Sequence, residues 1–161
     1  MMGHIVYVGL GSNLINPQAQ VLLAMQKLHE LPQVTVVQRS SLYRSAPLGY
    51  VDQPDFINAV VRLQTTLSAR DLLEALLALE QKCGRTREFV NAPRTLDLDV
   101  LLYDNLQCRE HGLTIPHPQM HLRAFVLKPL LEIAPDCIIP GIGPAVESAR
   151  QCNDQQVERV Y

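Results

Sequence analysis

A clean two-residue alternation from Thr95 to Tyr103 constrains this chain most. Leu96, Leu98 and Val100 fall on one side of it, and Asp97 and Asp99 on the other. Residues that alternate in this way line opposite faces of a β-strand, so the stretch is a strand whose apolar face needs a core. The two carboxylates stand ~6.5–7 Å apart along it. At that distance they can converge on one hard cation, or hold two that share a bridging ligand. Like charges on one face repel unless a cation or an arginine neutralises them. A half-exposed strand with acidic outer residues gives the same pattern. Two features favour the cation. Leu101 and Leu102 continue the strand apolar on both sides, which argues against a fully solvated edge, and Arg85, Arg87 and Arg94 lie just upstream. Metal ions and guanidinium forks together clamp polyphosphate oxygens.

The rest of the chain supplies partners for that strand. Ile5 to Leu10 is an apolar run that reads as a buried strand entering a turn at Gly9, Gly11, Ser12 and Asn13. Asn16-Pro17 reads as a helix start, with Asn as cap and Pro at the first helical position, followed by Val21, Leu22, Met25 and Leu28 at helical spacing. Val34 to Tyr43, rich in β-branched residues, reads as one strand, and Phe56 to Leu67 as the next, across a Pro- and Gly-punctuated loop. Ser68-x-x-Asp71 resembles a capping box at the start of a second helix that ends near Cys83-Gly84. After the alternating strand, the segment around Gly112 to Pro118 reads as irregular. Leu122 to Ile133 reads as a helix bent at Pro129, and a short helix closes the tail. The order is strand, helix, strand, strand, helix, strand. The expected fold is α+β, a ferredoxin-like βαββαβ unit with a largely antiparallel sheet, helices covering a face and a C-terminal extension.

Length and composition bound the function. The 161 residues suit one domain over 1–161, large enough to bury a real core. A net charge of -2 argues against a sequence-independent DNA binder but not against a nucleotide substrate. The four cysteines form no Cys-x-x-Cys pair and read as reduced packing thiols. The N-terminus has no signal-peptide pattern and no apolar run is long enough to span a membrane, so the expectation is a cytoplasmic protein. No Gly-x-x-x-x-Gly-Lys-Ser/Thr loop is present, and Gly9-x-Gly11 alone reads as a turn. His117 and His121 have zinc-like spacing, but Pro116 and Pro118 put His117 on a loop, where a phosphate donor beside Arg123 or a turn histidine reads better. Phe56 and Phe125 read by default as core, and Glu80 as a solvated helix residue.

Several ordered motifs carry a resemblance. They are Gly11-Ser12-Asn13, Ser45-Ala46-Pro47-Leu48-Gly49, Gln53-Pro54-Asp55-Phe56-Ile57-Asn58, Pro93-Arg94-Thr95-Leu96-Asp97-Leu98-Asp99, Pro116-His117-Pro118, and Arg123-x-Phe125 through Pro129-Leu130. Over nearly its whole length the chain resembles the 6-hydroxymethyl-7,8-dihydropterin pyrophosphokinases of the folate pathway. The resemblance implies that the hydroxymethyl oxygen attacks the β-phosphorus of ATP, that diphosphate moves as a unit and that AMP leaves. It implies two Mg²⁺ ions on Asp97 and Asp99, one spanning the α- and β-phosphates, the other the β- and γ-phosphates. The family's loop arginines fall on Arg85 and Arg94, and the two aromatics that stack the pterin fall on Phe56 and Phe125. Asn58 and main-chain groups of Ser45, Ala46 and Leu48 fall on the pterin edge. Glu80, Arg87, His117 and Arg123 fall on the nucleotide side.

The sequence departs from the family pattern at Val90-Asn91-Ala92, where the family has Arg-Trp-Gly, at Glu88, where it has a basic residue, and at Gly112, where it has Arg. These changes predict weaker ATP affinity or altered loop kinetics. The implied partners are ATP and the pterin only, with no nucleic acid and no membrane, and the chain is expected to act as a monomer. Two other readings fit the altered loop: a divergent paralogue using another nucleotide or acceptor, and a silent pterin- or nucleotide-binding module.

Overall fold

Period-two alternation in the long strands and 3.6-residue spacing in the helices sort the apolar side chains of this chain into two layers, one on each face of a central sheet. The computed structural model describes residues 3–13, 16–46, 55–83 and 96–160. Along them run β1 (His4–Ser12), α1 (Pro17–Glu30), β2 (Val34–Arg39), β3 (Tyr43–Ser45), β4 (Phe56–Thr65), α2 (Ala69–Lys82) and β5 (Asp97–Tyr103). There follow β6 (Cys108–Glu110), β7 (Leu113–Ile115), a 3-10 turn at Met120–Leu122, α3 (Ala124–Ile133), β8 (Ile138–Ile139), β9 (Gly143–Pro144), α4 (Ala145–Gln151) and β10 (Val157–Arg159).

The main sheet has the order β10-β3-β4-β1-β5, and β2 also pairs with β4. All of its pairings are antiparallel. With β10 set aside, this is the expected βαββαβ arrangement. The single strand expected over Val34 to Tyr43 is two strands lying end to end along one edge of β4. The break falls at Ser40. Its N–H still donates to the Val60 carbonyl at 2.9 Å, but its hydroxyl accepts the Val60 N–H at 3.0 Å in place of a main-chain acceptor. The C-terminal tail, expected to close in a short helix, runs on past that helix to supply β10 at the sheet's edge, where Val157 to Arg159 pair with Ser45 to Tyr43.

Helices cover both faces rather than one. On the first face Val6, Val8 and Leu10 of β1 pack with Met25 and Leu28 of α1 and Leu76 of α2. On the second, Val60, Leu101 and Leu102 pack with Met120, Leu127 of α3 and Ala145 of α4. Each large apolar side chain so buried contributes about 1.5–3 kcal/mol relative to exposure. A bulge in β5 makes the second layer possible. The pairing runs Val6↔Tyr103, Tyr7↔Leu102, then Val8↔Val100, so Leu101 is the extra residue. Leu101 and Leu102 therefore both join the second layer, while Tyr103 rejoins Val100 in the first.

Local signals hold with two corrections. Ser68 caps α2, its hydroxyl accepting the Asp71 N–H at 3.1 Å. Asn16 precedes Pro17 at the start of α1, but it adopts a left-handed conformation (φ 53°) and its side chain makes no cap bond; its carbonyl accepts the Gln20 N–H instead. The segment expected to be irregular holds the β6–β7 hairpin, which turns through His111 and Gly112, the latter at φ +74°. Its strands have three residues each, too short for alternation to register. Pro129 stands inside α3 as expected and offers no N–H to the Phe125 carbonyl. Among the described residues no helix is long and apolar enough to cross a membrane, and the four cysteines are free thiols.

Candidate active site

On the second face, beyond the reach of the core, the sheet leaves a cleft. β1 pairs Gly9 with Asp99 and Gly11 with Asp97 on one side, and Gly11 with Asn58 on the other. β1 continues through Ser12, so Gly9 and Gly11 sit within a strand rather than in a turn. Lacking side chains, they form a low floor. A Cβ on Gly11 would come within 3.3 Å of Asn58 Oδ1, and one on Gly9 within 3.4 Å of Leu101. The resulting cavity, about 220 Å³, is lined by Asp97, Asp99, Asn58, Phe56, Phe125 and Arg123, together with Ser45 and Ala46 at its end. Leu96 and Leu98 are buried beneath, Asp97 is half-buried and Asp99 exposed, as the alternation predicted.

Each wall has a local cause. Asn58 is buried and its amide donates to the Ser45 hydroxyl at 2.8 Å, which fixes the amide plane. Ser45 pairs with Phe56 across β3 and β4, so both stand at the same level of the sheet. Phe56 and Phe125 are half-buried, not core, and face the one cavity from β4 and α3. Arg123, immediately before α3, lies over the Phe125 ring at 5.6 Å from its centroid.

Asp99 also borders a second cavity of about 350 Å³, lined by Glu80, Val100, Thr114, His117 and Pro118 among others. β5 is the sheet's outer strand here, yet it is not fully solvated: the His117 N–H donates to the Leu101 carbonyl at 3.0 Å. The His117 ring accepts the Gln119 N–H on Nδ1 at 3.1 Å. Burial pushes this imidazole below its ordinary value, and the Arg123 guanidinium pushes it the same way. A neutral ring that accepts at Nδ1 carries its hydrogen on Nε2, which makes it a donor there. Glu80 departs most from expectation. It is only 3% exposed, and its carboxylate accepts the Leu98 N–H at 2.6 Å.

The acidic pair fits a magnesium site. Its donors are hard carboxylate oxygens on one wall, and the opposing glycines leave room for further ligands. Among the described residues no cluster of three or more His, Cys, Asp or Glu side chains could hold a metal. Two carboxylates completed by water and substrate phosphate oxygens are what Mg²⁺ accepts. Of the residues expected in the site, Leu48, Arg85, Arg87 and Arg94 lie outside the described residues, as do Glu88 and Val90-Asn91-Ala92.

The family model described as 7,8-dihydro-6-hydroxymethylpterin-pyrophosphokinase (HPPK) matches residues 7–135, the span that builds every wall of both cavities. The chain belongs to the HPPK family. Its HPPK relatives include the 2-amino-4-hydroxy-6-hydroxymethyldihydropteridine pyrophosphokinase of Pseudomonas aeruginosa, 44% identical over 155 residues, which are 96% of each chain. The Haemophilus influenzae protein of the same name is 43% identical over 151 residues, 94% of each. The folic acid synthesis protein fol1 of Schizosaccharomyces pombe is 36% identical over 157 residues, 98% of this chain but 21% of that protein. Among solved structures, the wild-type HPPK-DHPS of Plasmodium falciparum with pterin and p-hydroxybenzoate superposes with a TM-score of 0.77 at 12% identity, over 100% of this chain and 46% of that one. The chain thus spans less than half the length of that protein, and this likeness shows the HPPK fold.

Neither Glu80 as a buried acceptor nor Gly9 and Gly11 as a floor was read from the sequence. The glycines had a usable signal, since they share one parity within a strand. Glu80 had none for its bond to Leu98, because that partner is a main-chain group.

Proposed function

We propose that this chain transfers diphosphate from ATP to the hydroxymethyl oxygen of 6-hydroxymethyl-7,8-dihydropterin, releasing AMP. The reading rests above all on Asp97 and Asp99 facing a cleft that also holds Phe56, Phe125 and Asn58. The flat pterin lies between the two phenyl rings, with Asn58 and the main chain at Ser45, Ala46 and Leu48 on its polar edge. ATP occupies the second cavity, with Glu80 on its wall and Arg87, His117 and Arg123 toward the phosphates. Asp99, bordering both cavities, marks where acceptor and phosphate chain meet.

In this reading Asp97 and Asp99 hold two Mg²⁺ ions, which when bound neutralise phosphate charge as it develops. The chain's own residues do the remainder. Phe56, Phe125 and Asn58 orient the hydroxymethyl group, His117 Nε2–H donates to a phosphate oxygen, and Arg123, together with Arg85 and Arg94, clamps the moving diphosphate. A new bond forms between the hydroxymethyl oxygen and the β-phosphorus, the bond from the β-phosphorus to the α,β-bridging oxygen breaks so that this oxygen leaves with AMP, and the hydroxyl proton is released. Phosphoryl-type transfer of this kind needs positioning and charge neutralisation, not a protein nucleophile. In this reading the chain acts as a monomer in the cytoplasm, a compartment in which its free thiols stay reduced.

The test is AMP formation from ATP, Mg²⁺ and the pterin. AMP should require both the metal and the acceptor, and Asp97→Asn or Asp99→Asn should each lower kcat by about 100-fold or more, several kcal/mol of lost charge stabilisation, in a folded protein. Near-normal turnover in either variant would remove that carboxylate from the reaction. Acceptor-independent AMP release would replace the transferase reading with hydrolysis.

A further inference from the structure

Outside the two cavities, a cluster of polar contacts among the described residues gathers on Glu132, one residue from the C-terminal end of α3. One carboxylate oxygen accepts the Tyr43 hydroxyl at 2.6 Å, the other accepts the Ser41 hydroxyl at 3.0 Å, and the Ser41 N–H reaches both at 3.0 Å. Glu132 is exposed, and a carboxylate at a helix C-terminus opposes the helix dipole. Neither packing nor the helix accounts for it. What it does is join α3 to β3.

The spacing on each side of that joint gives it meaning. Glu132 follows Phe125 by seven residues, two helical turns, so both lie on one face of α3 about 10 Å apart. Tyr43 precedes Ser45 by two residues, so both lie on one face of β3. Ser45 is in register with Phe56 and bonded to Asn58. Helix and strand therefore face each other as two rails with two rungs. The Tyr43–Glu132 hydrogen bond closes one rung. The other rung, Phe125 opposite Phe56 and Ser45, is left open and is the cleft.

We infer that Tyr43 and Glu132 are positioning residues that set the width of the aromatic slot, and so the affinity for the acceptor, without touching it. This rests on the reading of that cleft as the acceptor site. Loss of the rung frees α3 to shift over β3 and loosens the slot. The ATP cavity is walled by α2, β5 and the β6–β7 segment, none of which the rung touches.

The experiment measures KM for acceptor and for ATP, kcat, acceptor binding by equilibrium titration, and thermal stability. Variants are Tyr43→Phe, which keeps the ring and its packing, Glu132→Ala, and the pair. Each single variant should raise the acceptor KM and dissociation constant about 5- to 10-fold, the size of a typical coupling between contacting groups, and leave the ATP KM within about twofold. The double variant should be no worse than the worse single one, since both break one rung. Glu132→Gln, which keeps an acceptor for Tyr43, should recover most of the loss. Asp104→Ala serves as a control: Asp104 is likewise an exposed carboxylate, taking the Ile5 N–H at 2.8 Å and His4 Nδ1 at 2.7 Å. It should lower stability without moving the acceptor KM. An unchanged acceptor KM in Tyr43→Phe and Glu132→Ala, or a parallel rise in both KM values that follows the loss of stability, would overturn the inference. Phe56→Ala and Phe125→Ala separate the two levels. If they raise the acceptor KM while the rung variants do not, only the rung fails. If they too leave it unchanged, the acceptor site lies elsewhere and both readings fall.

Discussion

The carboxylate of Glu80 accepts the main-chain N–H of Leu98 at 2.6 Å. Leu98 is the residue between Asp97 and Asp99, so a helix side chain fixes the backbone of the outer strand at the point where both acids leave it. Supports of this kind are where a site's geometry is held, because the two carboxylates, proposed above to hold metal, can be no better placed than the chain that carries them.

Glu80→Ala should therefore act on both stability and activity. It leaves the buried Leu98 N–H without this acceptor, at a cost of about 1–3 kcal/mol. Activity should fall about 10- to 100-fold, as for other groups that orient metal ligands. Urea unfolding and the Mg²⁺ dependence of AMP formation check the two effects separately. Glu80→Gln, which keeps an acceptor oxygen, should fall between.

Gly11→Ala should separate stability from function. A Cβ there meets Asn58 Oδ1 at 3.3 Å, in the floor of the cleft. Within a strand, alanine is favoured over glycine by roughly 0.5–1 kcal/mol through chain entropy. The expected result is a melting temperature that holds or rises while the acceptor KM increases several-fold. A fall in stability with unchanged acceptor KM would show that Asn58 gives way and that the floor does not need to be bare.

Leu101→Ala should be among the costlier core truncations. Leu101 is the bulge residue, 1% exposed, and packs beneath Gly9 in the second layer. Leucine-to-alanine changes at such sites cost about 2–5 kcal/mol, depending on how far the cavity collapses. Denaturant unfolding gives the value, and a cost below that range would mean that α3 settles into the space.

The pH dependence of stability follows from three shifted groups. Glu132 is held below its ordinary 4.5 by its bonds to Tyr43 and Ser41 against the opposing pull of burial. A depressed folded-state value means stability that is present above 4.5 and lost as pH falls through the lower value. Burial and Arg123 hold His117 below 6.5, so its contribution is also present above 6.5 and lost toward acid, starting at a higher pH. Burial and the bond to Glu132 raise Tyr43 from 10.0 to about 12, so its contribution is full below 10.0 and lost as pH rises through about 12. Melting temperature against pH should fall at both ends. Glu132→Gln should flatten the lower acid limb, His117→Gln the part nearer neutrality, and Tyr43→Phe the alkaline limb.

What was legible in the sequence is what depends on neighbours along the chain. Period-two alternation put Asp97 and Asp99 opposite a buried face, helical spacing gave α1 and α2, and Ser68 announced its cap, because each signal is set within a few residues by backbone geometry. Ordered motifs carried Phe56, Asn58, Phe125 and His117 as residues of one family's site, and the structure sets the first three on one cleft and His117 on the cavity beside it. Only the tertiary structure decided what depends on groups far apart in sequence. The strand break at Ser40 depends on Val60, the bulge at Leu101 depends on which layer each side chain can reach, and the burial of Glu80 depends on a main-chain N–H 18 residues away. The rung between Tyr43 and Glu132 joins residues 89 apart, and nothing local to either predicts the other. Side-chain pattern determines which face a residue takes; only the packed sheet determines what waits on that face.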